Sequence, residues 1–396
     1  MPQTFKPPLQ NHLLQWFFNR INHPLLSRGI TWVVDEESWK NWKSIPKGSP
    51  YFVASKHAHF TDHFCIGGLA DRLGTYCLYV SIPEAFSDYW GMSGFVVRRL
   101  GGFAVERGGT NIQATRYVVE AFLDAKYPLV IFPEGELYLL NDVVMPIKPG
   151  TALFALEGAK ARQKAGKNEG AYILPMGLKY VYREDVTPYL LQKLSFCEKR
   201  FFGKTKQGDV LARIVDLMHE VERDGEHRFQ IKPDGATVES RYLSLSGLLV
   251  NALELEAHGK TFEGDFADRS RRLMTHFGAG NENFEKARFA LHCLDFYPGY
   301  LDKPTPERWM ETLRKLERII TRNENPSFPG KRFLLVKVKP PIPAHTYLPQ
   351  YLERKTRKEA LLKLTHDLQK SIEEAQAELL VKSEKVRSQA KPEGIL

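Results

Sequence analysis

Between Tyr51 and Phe64 the chain reads YFVASKHAHFTDHF, a short apolar run that ends in three histidines and an aspartate. Two chemistries are open to that cluster. A histidine at a strand end and an acid just inside the next helical turn, here His57 and Asp62, can hydrogen-bond. The carboxylate then fixes the imidazole tautomer, and the other ring nitrogen is left to take a proton from a hydroxyl. Alternatively His57, His59, Asp62 and His63 offer imidazole and carboxylate donors to zinc or iron. Spacing leaves both readings open, because a chain with 12 histidines supplies about one His-x4-Asp match by chance.

Three later segments have residue types suited to a substrate site. Arg107 in GGFAVERGG is flanked by Gly101, Gly102, Gly108 and Gly109, where backbone can come close to an anion and a guanidinium can grip it. Glu134 and Gly135 in VIFPEGE follow a short apolar run directly. Pro175 in YILPMGL interrupts an apolar run, which predicts an edge strand, a bulge or a pocket wall. Taken singly, each also has a plain structural reading, as a surface ion pair, a turn and an edge-strand proline.

The elements that must position these residues follow from periodicity. Strand-length apolar runs at 51–55, 76–81, 102–106, 128–132 and 171–182 alternate with helical patterns at 111–125, with Thr110 as N-cap, and 151–164. That alternation predicts an α/β fold with a mostly parallel or mixed sheet covered by helices. Residues 31–50 read as an approach that turns at Pro46–Pro50. From 183 to 329 strand signals fade, and helices are expected at 210–221, 243–256, 265–277, 283–294 and 306–321. The expected organisation is therefore an α/β core at 1–182, an all-helical insert at 183–329, and a last core strand with a long C-terminal helix at 330–396. Residues 1–30 mix Leu13, Leu14, Trp16, Phe17 and Phe18 with Arg20 and Arg28, suiting either a helix at a membrane interface or a first helix packed on the core.

In their order and separation these pieces closely resemble the glycerolipid acyltransferase family, the 1-acylglycerol-3-phosphate type that includes bacterial lysophosphatidic acid acyltransferases. The family's four blocks match His57 and Asp62; Gly102, Phe103 and Arg107; Phe132, Pro133, Glu134 and Gly135, followed by Lys148 and Gly150; and Pro175. The likeness covers about 50–182, with KVKPPIP at 337–343 similar to a late strand and loop. It implies the acyltransferase fold and an enzyme of phospholipid biosynthesis. No cofactor is bound, and an acyl group passes from acyl-coenzyme A or acyl carrier protein to a lipid hydroxyl. His57 would be the base and Asp62 its orienter, Arg107 would hold an anionic group, Glu134 and Gly135 would shape the acceptor site, and Pro175 would line a wall. Two departures bear on the acceptor. Glu136 and Leu137 stand where the family has threonine and arginine, and Lys56 replaces an asparagine while supplying a charge nearby. Lysophosphatidic acid, glycerol 3-phosphate and acceptors with a neutral headgroup all stay open.

The histidine cluster also resembles the zinc block of metallo-β-lactamase-like hydrolases, but one extra residue separates His59 from Asp62, and no later ligand blocks follow. A catalytically inactive lipid-binding relative is a third alternative. A net charge of +9 over 396 residues suits an anionic surface, membrane lipid above all, since zinc-finger, RNP and basic-heptad signatures of nucleic-acid binding are missing. The longest apolar runs fall far short of the roughly 20 residues that cross a bilayer. Four widely spaced cysteines make no CxxC pair, and the N-terminus lacks signal-peptide features. The expectation is a cytoplasmic protein, peripherally associated with membrane.

Overall fold

The computed structural model describes residues 5, 7–18, 20, 29–81, 86, 92–105, 112–167, 170–324 and 329–388. Its strands are β1 (Ile30–Val34), β2 (Tyr51–Ser55), β3 (Leu78–Ser81), β4 (Gly102–Ala104), β5 (Leu129–Ile131), β6 (Tyr172–Tyr182), β7 (Arg332–Val338) and β8 (Ile342–Pro343). The helices are α1 (His12–Phe17), α2 (Glu36–Lys43), α3 (Asp62–Arg72), α4 (Met92–Arg99), α5 (Ile112–Asp124), α6 (Gly150–Lys164), α7 (Thr187–Phe202) and α8 (Val210–Phe229). After them come α9 (Val238–His258), α10 (Phe266–Phe277), α11 (Glu282–Cys293), α12 (Pro306–Thr321), α13 (Leu348–Leu352) and α14 (Arg357–Ser388). Two compact units result. One takes the chain up to Leu137, Asp142–Val181 and the chain from Arg332 on; the other takes Tyr138–Asn141 and Tyr182–Lys331.

The first unit is α/β. One eight-stranded sheet runs in the order β1-β7-β6-β2-β5-β3-β4, and β8 pairs with β6 off this path. The pairings of β2 with β5 and β6, of β3 with β4 and β5, and of β1 with β7 are parallel, and that of β8 with β6 is antiparallel. A parallel sheet must be covered on both faces, which is why its strands read as continuous apolar runs. The period-2 alternation sorts them. Phe52, Ala54, Leu129 and Ile131 join Phe122, Phe154, Ala155 and Leu368 on one face, under α5, α6 and α14. Val53, Val130, Leu174, Met176 and Leu178 join Trp42, Cys65, Ile66 and Leu69 on the other, under α2 and α3.

Pro175 corrects the expectation of an edge strand. It lies in β6, a central strand, opposite Ala54 of β2. Its carbonyl accepts the amide of Lys339 at 3.0 Å, in the turn between β7 and β8. That is where the neighbour of β6 on this side changes from β8, paired at Tyr172 and Ile173, to β7. A residue that cannot donate is tolerated there because the ladder itself is interrupted.

The second unit is helical, and α7 to α12 bury Leu194, Leu217, Tyr242, Leu249 and Leu313 in a common core. Helix α7 was not expected from the sequence. Its inward face carries Leu190, Lys193, Leu194, Cys197 and Glu198, so two charged residues break the apolar stripe. Each is paired inside the unit, Lys193 with Glu317 and Glu198 with Arg213.

Candidate active site

β2 delivers Lys56 and His57 at its carboxyl end, and β5, the neighbour of β2, delivers Phe132 to Gly135 beside them. Carboxyl ends of adjacent parallel strands are where open α/β sheets gather ligand-binding side chains. The segment 57–61 then turns tightly, with the Asp62 amide on the His59 carbonyl at 3.0 Å, and α3 begins at Asp62. An acid in the first turn of a helix suits the positive end of its dipole. Here it also points backward, onto the loop that precedes it.

His57 Nδ1 lies 2.9 Å from Asp62 Oδ2. The same oxygen accepts the backbone amides of Ala58 at 2.7 Å and His59 at 2.8 Å, while Oδ1 accepts the Tyr180 hydroxyl at 2.6 Å. Both carboxylate oxygens thus act as acceptors, so Nδ1 is the donating nitrogen and Nε2 is left with its lone pair. The Asp62 side chain is fully buried, whereas that of His57 is 17% exposed. The imidazole is stacked on Phe132, with ring centres 4.0 Å apart and planes at 17°. The Phe132 stack fixes the ring plane, and the tautomer follows from the acceptor role of Asp62.

Glu134 is buried and spans two segments. Its Oε1 accepts the His57 amide at 2.8 Å and its Oε2 accepts the Met145 amide at 2.9 Å. The turn that presents it closes from the Gly135 amide to the Phe132 carbonyl at 3.0 Å, with proline second, and ends on Gly135 at φ +73°. A Cβ at Gly135 would meet Lys148 Cδ and Cε at 2.9 Å. Lys56 is fully buried and its ammonium donates to the Val143 carbonyl at 2.6 Å. Glu134 and Lys56 therefore tie the 142–148 segment to the end of β2. Arg107 and Thr110 lie outside the described residues.

Tyr180 was not singled out by sequence reasoning. It belongs to the inward row Leu174, Met176, Leu178, Tyr180 of β6, where a phenol needs a polar partner. Burial and then the neighbouring Asp62 raise its pKa well above the usual phenol value, so it remains a donor. His59 is buried, with Nδ1 2.7 Å from Thr61 Oγ1. Burial, with help from His57, holds His63 down at about 4 against the pull of Asp62, so its ring is neutral near pH 7. Among the described residues no group of three or more His, Cys, Asp or Glu side chains is disposed to hold a metal ion.

The arrangement can abstract a proton at His57 Nε2 and stabilise the resulting imidazolium through Asp62. Residues 38–179 match the family model described as Acyltransferase. No curated protein matches the chain. The matched segment contains His57, Asp62, Glu134, Gly135 and Pro175, and together with the α/β sheet that carries them it supports an acyltransferase family and acyl transfer as the general activity.

Proposed function

We propose that this protein moves a fatty acyl group from a thioester of coenzyme A or acyl carrier protein to a hydroxyl of a glycerolipid acceptor, with His57 as general base. The observation that carries the proposal is the buried acceptor set of Asp62, which commits Nδ1 of His57 and frees Nε2. Nε2 takes the hydroxyl proton as the oxygen attacks the thioester carbonyl. The tetrahedral intermediate then collapses, the carbon–sulfur bond breaks, and the departing thiolate takes the proton back from His57. Asp62 offsets the positive charge on the ring between these steps. No acyl-enzyme is needed.

Glu134, Gly135 and Lys56 act through the backbone they brace, keeping His57 and the 142–148 segment in register. Pro175 supports Ala54 of β2 from the neighbouring strand. Arg107 supplies a charge for a phosphate of donor or acceptor. Where the resembled family has an arginine, this chain has Leu137, whose amide donates to the buried Glu136 Oε1 at 3.1 Å. The headgroup site is correspondingly less cationic, which favours acceptors of lower negative charge over glycerol 3-phosphate. Such an acceptor resides in a membrane, and the enzyme meets it there as a peripheral protein.

The test is incubation with a radiolabelled acyl thioester and a total lipid extract, followed by identification of the labelled product. Wild type is expected to yield one class of acylated lipid and free thiol in equal amounts. His57→Ala is expected to yield neither while remaining folded, and product formation undiminished in that variant would refute the mechanism.

A further inference from the structure

Helix α1 buries one side chain, the polar Gln15, and leaves its apolar residues outside. His12 Nε2 lies 2.8 Å from the Tyr127 hydroxyl, its ring is 5.3 Å from that of Tyr76, and buried Gln15 donates to the Leu100 carbonyl at 2.9 Å. Leu13 is 74% exposed, Trp16 49% and Phe17 45%. A helix that packs on a water-soluble core does the reverse. Leu13, Trp16 and Phe17 therefore do not pack on the core as a first core helix would require, and among these apolar residues Phe18 is the one that meets another helix.

The neighbouring surface has the same character. The amides of Leu9 and Asn11 donate to the carbonyls of Arg98 and Arg99 at 2.9 and 3.0 Å, and Arg98 Nε donates to the Pro7 carbonyl at 2.8 Å, which fixes the approach to α1 against the end of α4. On α4, Phe95 is 57% exposed and Val96 45%. The Arg99 guanidinium lies 3.4 Å from the centre of the Phe95 ring. Single exposed apolar residues need no explanation, but a contiguous patch does. The C-terminal end of α1 meets the helix that carries Asp62, the ring of Phe18 lying 5.4 Å from that of Phe64, two residues after Asp62 on α3.

We propose that α1 and the end of α4 form a docking surface for an anionic lipid bilayer. Leu13, Trp16, Phe17, Phe95 and Val96 enter the interface and Arg99 faces the phosphates. The proposal rests on the acyltransferase reading for its purpose, since a surface continuous with α3 brings a membrane lipid to His57. Charge selects the occupant: a chain of net +9 is attracted to anionic headgroups and repelled by its own copies. Leucine, tryptophan and phenylalanine beside arginine are the composition of an interfacial helix.

Vesicle flotation tests it, with phosphatidylcholine alone and with phosphatidylglycerol added. Full-length wild type is expected to float with the anionic vesicles and to be released by salt. The double variants Leu13→Ser/Phe17→Ser and Phe95→Ser/Val96→Ser should each lose about tenfold or more in partitioning. Their melting temperatures, and transfer to a short-chain acceptor dissolved as monomer, should stay at the wild-type level. Three results overturn the proposal: wild type that does not float, double variants that float as well as wild type, or a wild-type dimer that both substitutions dissociate without changing flotation. Failure of the acyltransferase reading is recognised separately, as no transfer to the soluble acceptor by wild type.

Discussion

The sharpest test of the dyad is Asp62→Asn, because the surroundings of Asp62 dictate how an amide must sit. Oδ2 receives three donors, from His57 Nδ1 and the amides of Ala58 and His59. An NH2 group there would oppose all three, so the asparagine oxygen takes that position and its NH2 takes the place of Oδ1. The Tyr180 oxygen faces that place and can accept, its own hydrogen turning to Thr61 Oγ1 at 3.3 Å. Geometry and tautomer of His57 survive, and only the negative charge is lost. For charge centres about 4 Å apart at an effective dielectric constant near 20, that charge contributes about 4 kcal/mol to an imidazolium, hence about 10³-fold in kcat. Release of free thiol from an acyl thioester measures kcat, and circular dichroism with thermal melting reports the fold. A folded Asp62→Asn protein that keeps more than about a tenth of wild-type kcat refutes general-base catalysis by this pair.

Tyr180→Phe deprives buried Asp62 Oδ1 of its 2.6 Å donor, so urea unfolding should show a loss of about 1.5–3 kcal/mol. The looser carboxylate should lower kcat by about tenfold at unchanged KM; a stability loss with unaltered kcat would leave Tyr180 a structural role only. Glu134→Gln places one NH2 against a backbone N–H, of His57 or of Met145, and a cost of about 1–3 kcal/mol is expected, with kcat falling as well. Gly135→Ala combines φ +73° with a Cβ 2.9 Å from Lys148, so a loss of about 1–2 kcal/mol is expected in the same assay, against near neutrality at Gly150→Ala, where nothing lies within 4 Å. His63 is held at about 4 when folded and has an ordinary value of 6.5, so the unfolded chain binds the proton first as pH falls. Its contribution is complete above pH 6.5 and is lost towards pH 4, by up to about 3 kcal/mol. The difference in unfolding free energy between pH 7 and pH 4.5 should therefore be smaller in His63→Gln than in wild type, and equal differences would sink the argument.

The sheet was legible because a parallel strand covered on both faces is an uninterrupted apolar run, and the runs at 51–55 and 171–182 fall within a residue of β2 and β6. Pairing left no such trace. β1 was passed over, since its five residues make their ladder with β7, about three hundred residues later. α7 escaped because Lys193 and Glu198 occupy inward positions, and the partners that make this tolerable, Glu317 and Arg213, lie on other helices. Helical periodicity assumes an apolar interior, and paired burial defeats it.

The same division runs through the site. His57 and Asp62 meet across one turn, so their spacing carried the information. Glu134 reaches His57 only because β5 lies next to β2, and Tyr180 reaches Asp62 only because β6 lies on the other side of β2. Both contacts are products of strand order, which no local pattern encodes. To the expectation that Glu134 helps shape the acceptor site, strand order adds what no local pattern carries, that its two oxygens accept the amides of His57 and Met145. The consequence for mechanism is specific. On the proposed mechanism the chemistry would rest on a two-residue motif at one turn, and its precision on residues from both flanking strands. Substitutions at Tyr180 and Glu134 should therefore change rate and stability together, whereas Asp62→Asn separates the two.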